Sequence, residues 1–171
     1  MAERIIRKLG DPVLREVCKP VSNIANIEKL LDDMAETLDT TPNGVALAAP
    51  QVGVTKRIVV VDCGDQILDL INPEIVEKSG EQVGPEGCLS LPGMFGKVKR
   101  ANRVVVTAMN RKGKEITIEA EEFLARCLQH EIDHLDGILY IDHVAPGQLF
   151  DEKTGDPVDV FSLIALSKQN T

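Results

Sequence analysis

The sequence predicts an α+β fold in which mostly antiparallel sheets pack around a central helix carrying a His-Glu-x-x-His pattern. Three observations predict it. A helical apolar pattern comes early and another comes late, with β-branched, strand-like segments between them. Two of those segments flank a short polar turn, as in a hairpin, which requires antiparallel pairing. Hydrophobic residues make up 43% of the chain and charged residues 27%, the balance of a folded domain rather than a disordered one. At 171 residues the chain can bury a substantial core and reads as a single domain, 1–171.

Residues 1–21 are mixed, with a turn at Gly10-Asp11-Pro12. Ile24, Ile27, Leu30, Leu31, Met34 and Leu38 then recur at helical spacing. Ser22 or Asn23 caps this helix, and it should stop near Thr41, because Pro42 disfavours helix at the residue before it. The stretch 43–53, N-G-V-A-L-A-A-P-Q-V-G, is apolar but built from small residues, and reads as a buried turn that other groups can approach closely. Gln51 stands out there, since a buried amide needs hydrogen-bond partners. Strands are expected at 57–63, 67–71 and 74–78. Residues 84–96, rich in Gly and Pro, read as a structured loop. Strands at 103–109 and 115–120 flank the turn at 111–114. A helix follows at 121–136, stopped by Gly137, and 138–144 looks extended. Beyond Pro146 the chain is polar until Val158, with a short apolar patch at Val160, Phe161, Leu163 and Ile164.

A net charge of −8, from 27 acids against 19 bases, argues against general nucleic-acid binding, which needs a basic footprint. Lys97, Lys99, Arg100 and Arg103 form one small basic cluster, read as a solvated strand edge. No apolar run is long enough to span a membrane, and the first residues lack an apolar signal core. No membrane binding is expected, and the expected location is the cytoplasm, or an organelle if a transit peptide has been removed. The four cysteines, Cys18, Cys63, Cys88 and Cys127, form no C-x-x-C pair and are expected as free thiols.

The chemistry centres on Q-H-E-I-D-H, residues 129–134. Residues four apart on a helix share a face, so His130 and His134 can present two imidazoles to one cation. Glu131 borders that face, within reach of a water to be activated there. Such a match also arises by chance on charged surface helices. Here, however, Phe123, Leu124, Cys127, Leu128, His130, Glu131, His134 and Leu135 form one half-buried stripe, where polar groups are costly without a partner. A catalytic site needs a third ligand. One class of metallopeptidase places a His six residues after the second; that position is Tyr140, and His143 comes three residues too late. Another recruits a downstream Glu, for which Glu152 is the candidate. Among the cysteines, spacing leaves Cys88 and Cys127 both open, with Cys88 slightly favoured by its bent, Gly- and Pro-shaped segment.

Three motifs, G-V-A-L-A-A-P-Q, E-G-C-L-S and Q-H-E-I-D-H, in this order and at about these separations, resemble those of peptide deformylases. The similarity extends through I-R-K-L-G-D-P-V-L-R and P-G-M-F-G-K-V-K-R and covers residues 4–145 as a catalytic core, leaving a divergent tail at 146–171. The resemblance implies a metal-dependent hydrolase that removes the N-formyl group from the initiator methionine of new polypeptides. It implies Cys88, His130 and His134 as metal ligands, which resolves the cysteine choice, and Glu131 as general acid/base. It implies the Gln51 amide and the Leu89 backbone N–H as donors to the developing oxyanion. Val45, Gly87 and Cys127 are expected to line the substrate. The implied cofactor is one divalent ion per chain, natively Fe²⁺, replaceable by Zn²⁺, Ni²⁺ or Co²⁺. The implied partners are N-formylmethionyl nascent chains, met by a monomer. Ribosome contact is a further implied partner, but not through the long basic C-terminal helix of some members, which the tail does not resemble. Ala46 stands where the family commonly has Gly, and its methyl narrows a segment that lies along the substrate. The alternatives are a metallopeptidase, opposed by the missing third His, and a non-catalytic metal-binding paralogue, which would need neither Glu131 nor Gln51.

Overall fold

The computed structural model describes residues 2–42 and 44–169. In chain order these form α1 (Glu28–Thr40), β1 (Ala46–Ala48), β2 (Ile58–Asp62), β3 (Ile67–Ser79), β4 (Gln82–Cys88), β5 (Leu91–Arg100), β6 (Arg103–Met109), β7 (Glu115–Glu121), α2 (Glu122–Leu135), β8 (Leu149–Asp151) and α3 (Val160–Ser167). Ile58, Val59, Val60 and Val61 are all fully buried, so β2 must be covered on both faces. Alternation along the strand divides the cover. Val59 and Val61 meet Leu128, Ile132 and Leu135 of α2, while Ile58 and Val60 meet Leu31, Met34 and Leu38 of α1.

β2 belongs to an antiparallel five-stranded sheet in the order β1-β2-β3-β6-β7. A second, three-stranded sheet runs β4-β5-β8, also antiparallel. Its core joins Leu91, Val98 and Leu149 to Tyr140, Ile141, Val144 and Val160. α2 serves both sheets. Its apolar side packs on the larger one, and its polar side reaches the smaller through Arg126, which donates to Val98 O at 3.1 Å. Gln129 fixes the helix further by exchanging two hydrogen bonds with the Ala101 backbone, at 3.1 and 2.9 Å.

The α+β class and the main elements agree with expectation, and several local readings are corrected. Residues 84–96 are no loop but most of the β4–β5 hairpin. Pro85 is tolerated because β4 is an edge strand, where a missing N–H costs no ladder bond. The strands expected at 67–71 and 74–78 are one strand, β3, interrupted by a register shift at Asn72. There φ is +53°, and the Asn72 side chain bonds both the N–H and the carbonyl of Val21. The early helix starts as a 3₁₀ turn at Ile24–Ile27, capped by Asn23, before becoming α1. The small-residue run divides into β1 and a 3₁₀ turn at Ala49–Val52; its first residue, Asn43, lies outside the described residues. Residues 138–144 contain a 3₁₀ turn, Tyr140–His143, rather than an extended run. The tail supplies β8 and α3. Phe123 is 63% exposed and leaves the buried stripe. Arg100 is not solvated at all but buried, with consequences described below. Among the described residues no helix is long and apolar enough to cross a membrane.

Candidate metal centre and reaction cavity

Strand alternation in β4 exposes Val83, Pro85 and Gly87 and turns Glu86 and Cys88 inward together. The Cys88–Leu91 pairing closes the hairpin, leaving Leu89 and Ser90 as its two-residue turn. This delivers the Cys88 sulfur to the face of α2 that carries His130 and His134. One ligand atom from each of the three lies within 4.8 Å of the others. Cys88 Sγ is 3.4 Å from His134 Nε2, and the imidazole centroids are 5.1 Å apart. Burial alone would raise the Cys88 thiol pKa, but the two histidines outweigh it and hold it well below its ordinary value.

Glu86 organises the group from behind. Its Oε1 lies 2.8 Å from His130 Nδ1 and accepts from Arg100 Nη2 at 2.9 Å. Its Oε2 accepts from Arg100 Nε at 2.8 Å and Arg126 Nη1 at 2.6 Å. Burial opposes the charge of Glu86, but Arg100 and His130 prevail and keep it a carboxylate. A carboxylate only accepts, so the His130 proton sits on Nδ1 and its Nε2 is left as a ligand. Arg100 continues outward to Asp133 at 2.6 Å, and Asp133 to His143 at 3.0 Å.

Glu131 is 6% exposed, and its Oε1 has no hydrogen-bond partner among the described residues. Burial raises its pKa, against the lowering influence of the two histidines. The Gln51 amide is held in one orientation: its oxygen accepts from Ala48 N–H at 2.9 Å. Its nitrogen therefore points at Ser90 Oγ, 3.2 Å away, and Cys88 Sγ, 3.6 Å away. These groups border an open cavity of about 690 Å³ whose wall includes Val45, Ala46, Gly87, Leu89, Cys127, His130 and Glu131. A thiolate, two imidazoles and a buried carboxylate with one oxygen unbonded among the described residues fit a divalent ion with soft and borderline ligands and a water beside it.

The family model for polypeptide deformylase matches residues 3–149. The chain belongs to the polypeptide deformylase family. It is 61% identical over 145 residues to a peptide deformylase of Acetivibrio thermocellus, covering 84% of this chain and 85% of that one. With a peptide deformylase of a Thermoanaerobacter species it shares 52% over 162 residues, 94% of this chain and 96% of the other. Among solved structures, a peptide deformylase from Legionella pneumophila aligns with a TM-score of 0.81 at 44% identity, over 85% of this chain and 88% of that one. One from Thermotoga maritima gives 0.81 at 42%, over 85% and 100%.

Of the deformylase residues expected from sequence, the fold gathers Val45, Gln51, Gly87, Cys88, Leu89, Cys127, His130 and Glu131 on one cavity wall, with His134 beside Cys88. Of the two cysteines that spacing left open, Cys88 joins the histidines and Cys127 does not. Burial and the charge of Glu131 push the Cys127 thiol up to about 12, so it stays a neutral lining group. Glu152 lines the cavity but lies outside the ligand cluster, and His143 is engaged by Asp133. Tyr140 stacks on His130 at 5.9 Å. Sequence reasoning missed Glu86, Ser90, Arg100 and Arg126. For Glu86 a signal existed: it stands two residues before Cys88, a spacing that shares a face if the segment is a strand.

Proposed function

We propose that this deformylase hydrolyses N-formylmethionyl chain ends with Cys88, His130 and His134 holding one divalent ion, natively Fe²⁺. Residues 1–171 act as one catalytic domain. The supporting observation is the buried Glu131 carboxylate beside that ligand cluster, on the wall of an open cavity, with its Oε1 unbonded among the described residues. When bound, the ion supplies Lewis acidity and lowers the pKa of water. Glu131 takes a proton from the attacking water and later hands it to the leaving amine nitrogen. The formyl carbon–nitrogen bond breaks, giving formate and a free amine. Burial favours the protonated form of Glu131, which suits the second of these tasks. The Gln51 Nε2 and the Leu89 N–H serve as donors to the developing oxyanion, and loss of one such donor costs about a hundredfold or more in rate. Val45 and Gly87 line the peptide's path, and Cys127 lines the pocket for the methionine side chain.

One thiolate with two imidazoles suits Zn²⁺ as well as Fe²⁺, and Ni²⁺ or Co²⁺ can substitute. The working form in this proposal is a cytoplasmic monomer meeting nascent chains. Ribosome contact is not part of it: α3 is eight residues long and contains no basic residue. A metallopeptidase is not favoured, because neither Glu152 nor His143 joins the cluster.

The test is formate release from formyl-Met-Ala-Ser under anaerobic conditions, with elemental analysis of the same sample. Glu131→Gln should keep its metal and lose nearly all activity. Full activity in that variant would refute the role of Glu131, and cleavage of unformylated Met-Ala-Ser instead would favour the metallopeptidase.

A further inference from the structure

The cavity wall carries a small set of charged side chains. Glu86, Arg126 and Glu131 are buried, and Lys8 and Glu152 are exposed. The Lys8 ammonium donates to the Leu89 carbonyl at 3.1 Å, which holds it beside the turn after Cys88 without cancelling its charge. Glu152 makes no side-chain hydrogen bond or ion pair among the described residues. It is therefore the one exposed anion on the described wall, and its carboxylate is free to meet a substrate cation. Its backbone is nonetheless fixed. Glu152 N–H donates to Gly93 O at 2.9 Å, directly after β8 pairs with β5. Asp151 Oδ1 accepts from Lys153 N and Thr154 N, which locks the following turn. Lys153, the adjacent cation, is not in the cavity wall. Beside Glu152 the wall is apolar and half open, formed by Met94 and Phe95.

We propose that Glu152 is a specificity-determining residue that favours substrates with a basic side chain in the residues following methionine and disfavours acidic ones. The inference rests on the deformylase reading, which puts the formyl end at Cys88 and Glu131 and the rest of the peptide toward the cavity mouth. A lysine or arginine stem can lie along Met94 and Phe95 with its charged head at the Glu152 carboxylate. An acidic side chain there meets like charge. Exposed ion pairs are weak, so the preference is graded rather than absolute.

The experiment compares formyl-Met peptides carrying Lys or Glu at each of the three positions after methionine, with formyl-Met-Ala-Ser as reference. At low salt the Lys/Glu ratio of kcat/KM should reach about two- to fivefold at one position or more, carried by KM. About 0.5 M salt should collapse it. Glu152→Gln should bring the ratio close to one, and Glu152→Lys should invert it. Equal processing of Lys and Glu peptides at every position would overturn the proposal, as would a preference that survives intact in Glu152→Gln. Inactivity on formyl-Met-Ala-Ser would count against the deformylase reading instead. The Lys/Glu ratio would then be read from peptide Kd by calorimetry, with the same outcomes deciding.

Discussion

Replacing Glu86 by Gln keeps the shape of the side chain and removes its charge. Four bonds depend on that carboxylate, two to Arg100, one to Arg126 and one to His130. Each oxygen serves two donors, so the amide nitrogen, on either side, faces two donors it cannot satisfy. If it takes the Oε1 position, Arg100 Nη2 and His130 Nδ1 lose their acceptor; if it takes Oε2, Arg100 Nε and Arg126 Nη1 do. Both arginines are buried, at 7% exposure each, and Arg126 loses its ionic partner. Breaking a buried pair by removing one partner costs about 3–5 kcal/mol. At this chain length about 2–4 °C accompanies each kcal/mol, so Tm should fall by about 6–20 °C. Loss of the group that orients a ligand histidine should weaken metal affinity by about 10–100-fold. Calorimetric melting and a competitive metal titration on the same protein measure both. Wild-type Tm together with wild-type metal affinity would refute Glu86 as the support of the site.

Three further outcomes are expected. Cys88→Ala should purify with metal near zero per chain by elemental analysis, whereas Cys127→Ala should keep its ion; a metal-replete Cys88→Ala would overturn the ligand set. Gly137 has φ +72°, and a Cβ there would sit 2.5 Å from the Arg15 carbonyl oxygen, whereas Gly147, at φ +82°, has nothing within 4 Å. Gly147→Ala should therefore cost about 1 kcal/mol from the backbone alone, and Gly137→Ala about 1–3 kcal/mol more in urea unfolding; equal costs would show that the contact does not matter. Asp142 is raised by burial but lowered further by its two bonds from Arg15, leaving it below the ordinary 3.8. A depressed carboxyl contributes stability above its ordinary value and loses it as pH falls through the lowered one. The stability gap between wild type and Asp142→Asn should be full near about pH 6 and shrink below about pH 4. A gap independent of pH would rule out this charge as its source.

The longest periodic segments were the most legible. The helix expected at 121–136 is α2, and the apolar run at 57–63 is β2, because burial on a single face or on both leaves a regular trace in sequence. The hairpin at 84–96 was illegible for a definite reason. Gly and Pro ordinarily mark turns, yet an edge strand asks little of its outward N–H groups, and pairing across the sheet overrides the local preference. Arg100 misled in the same way. A basic residue in a basic cluster reads as solvated, and only a distant acid can turn it inward.

By itself, the sequence determined what is local: two imidazoles one helical turn apart, a carboxylate next to the first, and motifs sufficient to indicate the family. Helical periodicity fixes such neighbours without reference to the rest of the chain. Spacing left both Cys88 and Cys127 open, and although the family motifs point to Cys88, its meeting with those imidazoles was decided by tertiary structure. So were the inward turn of Arg100 onto Glu86 and the placing of Glu152 on the cavity wall. Each depends on pairing between segments far apart in sequence. Side-chain burial and charge compensation are properties of the assembled layers, and no local pattern encodes the partner that lies on another sheet.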